Sequence, residues 1–172
     1  MNSVPLQKKE TMKTIMLVSA LILGLFGCFV AVSPTDPFPL PVPYHAFCRS
    51  LWLFATPCAE ISTTIAQQIQ AFSPEYTLIL ATPLKIKANH TSPDGINVQN
   101  ITFSFSPTIL TGGCHVSAQS ITLGFTSLLD DGLNYCNLYK LLSASGLTSA
   151  PGFMEMTNEW ACLGYGLAKC KT

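Results

Sequence analysis

The side chains of this chain that could do chemistry are three histidines, His45, His90 and His115, a few neighbouring carboxylates and seven cysteines. A hydrolase triad needs a nucleophile, an aligned base and an oxyanion site, and no Gly-x-Ser-x-Gly surrounds a serine here. His45 follows a proline tract and His90 lies inside Asn89-His90-Thr91, which leaves His115 on an expected strand, where a histidine more commonly packs than reacts. Glycoside hydrolysis needs two carboxylates a few ångströms apart. Asp130 and Asp131 are adjacent and diverge, and Glu155 and Glu159 read as a solvated surface. The run Asp130-Asp131-Gly132-Leu133-Asn134 offers oxygen ligands for calcium but lacks EF-hand spacing and its terminal Glu; a turn leading into a helix accounts for it. No phosphate-cradling glycine loop or dinucleotide fingerprint occurs. The expectation is a protein that is not an enzyme and needs no cofactor.

The cysteines carry more information. Lys8, Lys9 and Lys13 precede the apolar run Ile15 to Val32, the order of a secretory signal peptide, with Met12 as an alternative start. Cleavage is expected near Ala31 to Ser33, so that residues 1–33 are removed and Cys28 with them. Two other readings are a retained membrane anchor and a lipoprotein box at Leu25-Phe26-Gly27-Cys28, which Phe26 fits poorly. Six cysteines are left, Cys48, Cys58, Cys114, Cys136, Cys162 and Cys170, and an even set in an exported chain reads as a disulfide framework. Spacing leaves about 15 connectivities open; local pairing would join Cys48 to Cys58 and Cys162 to Cys170, leaving Cys114 with Cys136. No Cys-x-x-Cys supports zinc. The sequons at Asn89 (Asn89-His90-Thr91) and Asn100 (Asn100-Ile101-Thr102) are candidate glycosylation sites.

Composition agrees. Charged residues make up 10% and hydrophobic ones 48%, which argues for a folded core. From Pro34 onward six Lys and Arg face eight Asp and Glu, a net charge of −2 with no basic patch, so nucleic acid is not an expected partner.

These residues must be positioned by a small set of elements. Five prolines between Pro34 and Pro43 make residues 34–46 an extended arm, and residues 47–172 are read as one secreted domain. Ile61, Ile65, Ile69 and Phe72 recur at helical spacing from about Cys58 to Phe72. The period then changes to two: Tyr76, Leu78, Leu80, Leu84, Ile86 and Ala88 share a face, with Pro83 marking an edge or interruption. A turn at Ser92-Pro93-Asp94-Gly95 leads to a strand from Ile96 to Ser106, where a bulge near Gln99 or Asn100 would keep both Val98 and Ile101 inward. The segment Cys114 to Phe125 shows the same change of parity, from Val116 and Ala118 to Ile121, Leu123 and Phe125. Asn89 and Asn100 both fall on the solvent side. Asn137 can cap a short helix with Leu138, Leu141 and Leu142 inward and Gly146 at its end, and the chain beyond is loop-rich.

The fold class that follows is α+β: one amphipathic helix on a three- or four-stranded antiparallel sheet, stabilised by disulfides. Leu128-Leu129-Asp130-Asp131-Gly132-Leu133-Asn134-Tyr135-Cys136-Asn137-Leu138-Tyr139, with Ala88-Asn89-His90-Thr91-Ser92-Pro93 and Ile101-Thr102-Phe103-Ser104-Phe105, resembles a family of small secreted cysteine-containing animal proteins of unassigned function. The resemblance spans roughly Cys58 to Cys170. It implies secretion and a shared disulfide-tied fold, and it transfers no catalytic residue. The functional expectation is an extracellular binding or interaction protein, free of the membrane after signal cleavage. A carrier of a small hydrophobic ligand or lipid is the alternative, ahead of a secreted hydrolase.

Overall fold

The computed structural model describes residues 45–109, 112–124 and 130–170. The expected signal segment, nearly all of the proline arm and Phe125 lie outside the described residues. Along the chain come strand β1 (Phe47–Phe54), helix α1 (Cys58–Ala71), strands β2 (Tyr76–Thr82), β3 (Lys85–Thr91), β4 (Val98–Pro107) and β5 (Cys114–Leu123), helix α2 (Leu133–Ala144) and strand β6 (Met154–Met156). Single 3-10 turns follow at Leu147–Ser149 and Tyr165–Leu167.

The class is α+β, with both helices packed on an antiparallel sheet, but the sheet has six strands among the described residues, in the order β2-β3-β4-β5-β1-β6. Two sources make up the difference from three or four. Pro83 and Leu84 form the turn of a hairpin, so the long expected strand becomes β2 and β3, with a register shift between Leu78 and Leu80. A stretch given no element from its sequence supplies β1 and the expected terminal loop supplies β6, and the two pair with each other from Leu51 to Leu53.

One face of the sheet is inside. Trp52, Phe54, Ile86, Ala88, Ile101, Phe103, Phe105, Val116 and Ala118 pack there against Ile61, Ile65 and Ile69 of α1 and Leu138, Leu141 and Leu142 of α2. Helix α1 thus buries the isoleucine stripe that its spacing announces. Leu80 and Leu84, expected inward, are 40% and 60% exposed because the register shift places Leu80 opposite outward-facing Lys87 and Leu84 sits in the hairpin turn.

The two proposed parity changes do not occur. β4 alternates without interruption, with Gln99, Ile101, Phe103 and Phe105 inward and Val98 outward, and Ile96 lies before the strand. β5 likewise keeps Ser120 and Thr122 inward, placing Ile121 on the other face. Buried polar side chains occupy positions where only apolar ones were expected.

The cysteines pair as Cys48–Cys162, Cys58–Cys114 and Cys136–Cys170, so none of the local bridges forms. The physical reason is β1: its extended chain carries Phe54 about 20 Å from Cys48 at roughly 3.3 Å per residue, which places Cys58 at the opposite end of the sheet. The bridges instead tie β1 to the C-terminal loops, α1 to β5, and α2 to the C-terminal segment. Each contributes on the order of 2–5 kcal/mol by restricting the unfolded chain.

Candidate functional site

Helix α2 starts at Leu133, four residues before the Asn137 cap that the sequence suggested. Its N-cap residue is Gly132, and Asp130, two residues earlier, accepts through its carboxylate from the backbone N–H of Gly132 (3.2 Å) and of Asn134 (2.7 Å). The carboxylate is thereby committed to a helix N-terminus, which favours negative charge. Gly132 itself has φ 80°, and a Cβ there would stand 2.5 Å from the Ala168 side chain, so glycine is required on both counts.

Two buried polar clusters join α2 to the inner sheet face. In the first, the Asn134 carboxamide oxygen accepts from Ser120 Oγ (2.5 Å), and its Nδ2 shares two N–H groups among Asp130 (2.6 Å), Thr122 Oγ1 (2.8 Å) and the Ala46 carbonyl (3.1 Å). In the second, His90 stands between Gln99 Oε1 (2.6 Å, Nδ1) and Glu75 Oε1 (3.2 Å, Nε2), with Asn137 Nδ2 at 3.2 Å. Lys140 donates to both Glu75 oxygens at 2.7 Å, and Tyr76 donates to the Asn137 carbonyl at 3.0 Å. Burial pushes the Glu75 carboxyl up, but Lys140 and then His90 outweigh it and hold it below the ordinary value. Burial, then the Glu75 charge, pushes the Tyr76 phenol up. No hydroxyl or thiol nucleophile stands within hydrogen-bond distance of His90 among the described residues. The chemistry this arrangement supports is the fixing of α2 and β2 onto the sheet.

The residues singled out in the sequence are dispersed. His115 pairs with Leu53 on the outer face, whereas Glu155 pairs with Trp52 and lies on the inner side. Glu155 accepts from Trp52 Nε1 (3.3 Å), Tyr135 Oη (3.2 Å) and Thr157 Oγ1 (2.7 Å). Glu159, expected with Glu155 on a solvated surface, accepts from the backbone N–H of Gly166, while Glu155 lies in β6. No cluster of three metal-ligating side chains and no helix long and apolar enough to cross a membrane occurs among the described residues.

Three surface features are left. No helix lies over the outer face of the sheet among the described residues, and Asn89 and Asn100 stand there directly opposite each other on β3 and β4. Trp160 is 94% exposed, two residues before the Cys48–Cys162 bridge, on a turn in which Asn158 Oδ1 accepts from the N–H groups of Trp160 and Ala161. An open groove of about 780 Å³ is lined by Leu53, Phe54, Ala55, Pro107, Ile109 and Gly152. Sequence reasoning missed Trp160, because exposure of a lone aromatic has no periodic signature.

No family model matches the chain, and no curated protein matches it at a significant level. Among solved structures, the Deinococcus radiodurans protein DR_A0006 aligns with 60% of this chain and 94% of its own, at 8% identity and a TM-score of 0.37.

Proposed function

We propose that this chain is a secreted extracellular binding protein without a catalytic role, bearing N-linked glycan at Asn89 and Asn100. Three bridges using all six cysteines of the domain fit an oxidising compartment, as do the signal-like N-terminus and the resemblance to small secreted cysteine-containing proteins. The observation that carries the binding role is Trp160, a large aromatic held out in water by a hydrogen-bonded turn and anchored by a disulfide. Tryptophan is among the residues on which interfaces concentrate their energy.

A photo-crosslinking amino acid at position 160, in protein returned to its native extracellular fluid, tests this. A discrete adduct competed away by unlabelled wild type but not by Trp160→Ala supports the reading, and no competable adduct defeats it. Sequencing the N-terminus of the exported product tests secretion: a start between Val32 and Thr35 is expected, and an intact Met1 or Met12 in a membrane fraction overturns it.

The apolar groove beside Phe54 and Ile109 favours a second reading, carriage of a small hydrophobic ligand, since its volume falls in the range of small-molecule sites. Native mass spectrometry after mild purification separates the two: a retained lipid mass supports the carrier, and its absence supports the protein partner.

A further inference from the structure

The two sequons are 11 residues apart in sequence but occupy one place in the fold. β3 and β4 pair with Asn89 opposite Asn100 and Lys87 opposite Thr102. Directly opposed side chains on neighbouring antiparallel strands have Cβ atoms about 4.5–5.5 Å apart and point to the same side. That side is the outer face of the sheet. Asn100 is exposed and Asn89 half-exposed, while the His90 ring between Asn89 and Thr91 points inward.

A second observation separates these two asparagines from others in the chain. The carboxamides of Asn134, Asn137 and Asn158 are held by hydrogen bonds. Among the described residues neither Asn89 nor Asn100 has a side-chain hydrogen bond, and the Oδ1 of Asn89 is enclosed without a partner. Two amides face each other across the ladder with no structural work to do.

We infer that Asn89 and Asn100 form a single carbohydrate-bearing patch, in which either glycan alone covers the strip of sheet around Lys87. The inference rests on the glycosylation proposed above. In that reaction the Nδ2 of asparagine loses a proton and bonds to C1 of N-acetylglucosamine. The C1–O bond of a lipid-linked oligosaccharide diphosphate breaks, and the lipid diphosphate leaves with the electron pair. Both acceptors lie in strands paired on each side, so transfer precedes closure of the sheet. Once β3 meets β4, two sugars are rooted on one spot and share the surface they shield. Lys87 projects from that surface two residues from Asn89, whereas exposed Lys169 lies beside Cys170, which is bridged to α2.

The test uses full-length protein secreted from eukaryotic cells and a bulky amine-reactive ester, with Lys87 labelling read against Lys169 by peptide mass. Wild type, Asn89→Gln and Asn100→Gln are expected to label severalfold more slowly at Lys87 than the double variant or wild type stripped by peptide N-glycosidase. Thr91→Ala and Thr102→Ala remove the sequons while keeping both asparagines, should a glutamine variant fail to fold. A single variant that keeps its glycan yet labels as fast as the double variant overturns the shared patch while leaving glycosylation intact. So does a chain that uses only one sequon even when the other is removed. Carbohydrate at neither position defeats the glycosylation reading itself.

Discussion

The two helices lie on the same sheet face and are held to it differently. α1 presents Ile61, Ile65 and Ile69 to an apolar surface, and its buried polar side chain, Ser62, turns back to its own helix at Ala59. α2 buries Leu138, Leu141 and Leu142 in the same core, but beside them Asn134 and Asn137 reach across to Ser120, Thr122 and His90. An apolar contact fixes distance and tolerates sliding; a buried amide with four partners fixes one position and punishes every other. α1 is therefore the source of burial energy and α2 the element whose register is specified.

The largest effect is expected from Ile65→Ala, which opens a cavity beneath α1 and should cost about 2–5 kcal/mol in chemical denaturation. Next comes Asn134→Ala. It strands Ser120, Thr122 and the Ala46 carbonyl in a buried site, at a cost of about 1–3 kcal/mol. Asn134→Leu sharpens the contrast: it should be no better than alanine if the amide network seats α2, and a variant as stable as wild type would reduce α2 to a second apolar contact.

The smallest effect is pH-dependent. The folded Glu75 carboxyl titrates below its ordinary value of 4.5, so its contribution is complete above that pH and fades as the pH falls through the folded value. Wild type should exceed Glu75→Gln by about 0.2–1 kcal/mol at pH 7, because solvent screens a group a third exposed. The two should converge under strong acid, and a gap unchanged at low pH would show that the Lys140 and His90 contacts do not act through charge.

The same contrast explains what could be read from sequence. The α1 stripe is periodic, and periodicity is what an amphipathic helix leaves in a sequence. The outward placement of Asn89 and Asn100 was legible for the same reason, since alternation sets Asn89 on the face away from Ile86 and Ala88 in β3 and Asn100 on the face away from Ile101 and Phe103 in β4. Gln99, Ser120 and Thr122 were misplaced because each is polar and inward, with a partner on another element: His90 of β3 for Gln99, and Asn134 of α2 for Ser120 and Thr122. Assuming apolar interiors forced bulges that the strands do not contain. The disulfides failed by a related route: without β1, nothing separated Cys48 from Cys58. The His90 cluster left no local signal, because Glu75, His90, Gln99, Asn137 and Lys140 meet only after four elements have assembled.

The two rims of the sheet bear on how the protein behaves at high concentration. β6 is a stub of three residues, and β2 has its ladder broken between Leu78 and Leu80 before the chain turns at Pro83. Neither rim offers a long flat row of free amides, the template on which strands of separate molecules add end over end. Although Ile79 and Leu80 are exposed, their backbone kinks away from the geometry that fibril growth requires. The sheet is built to stop at six strands.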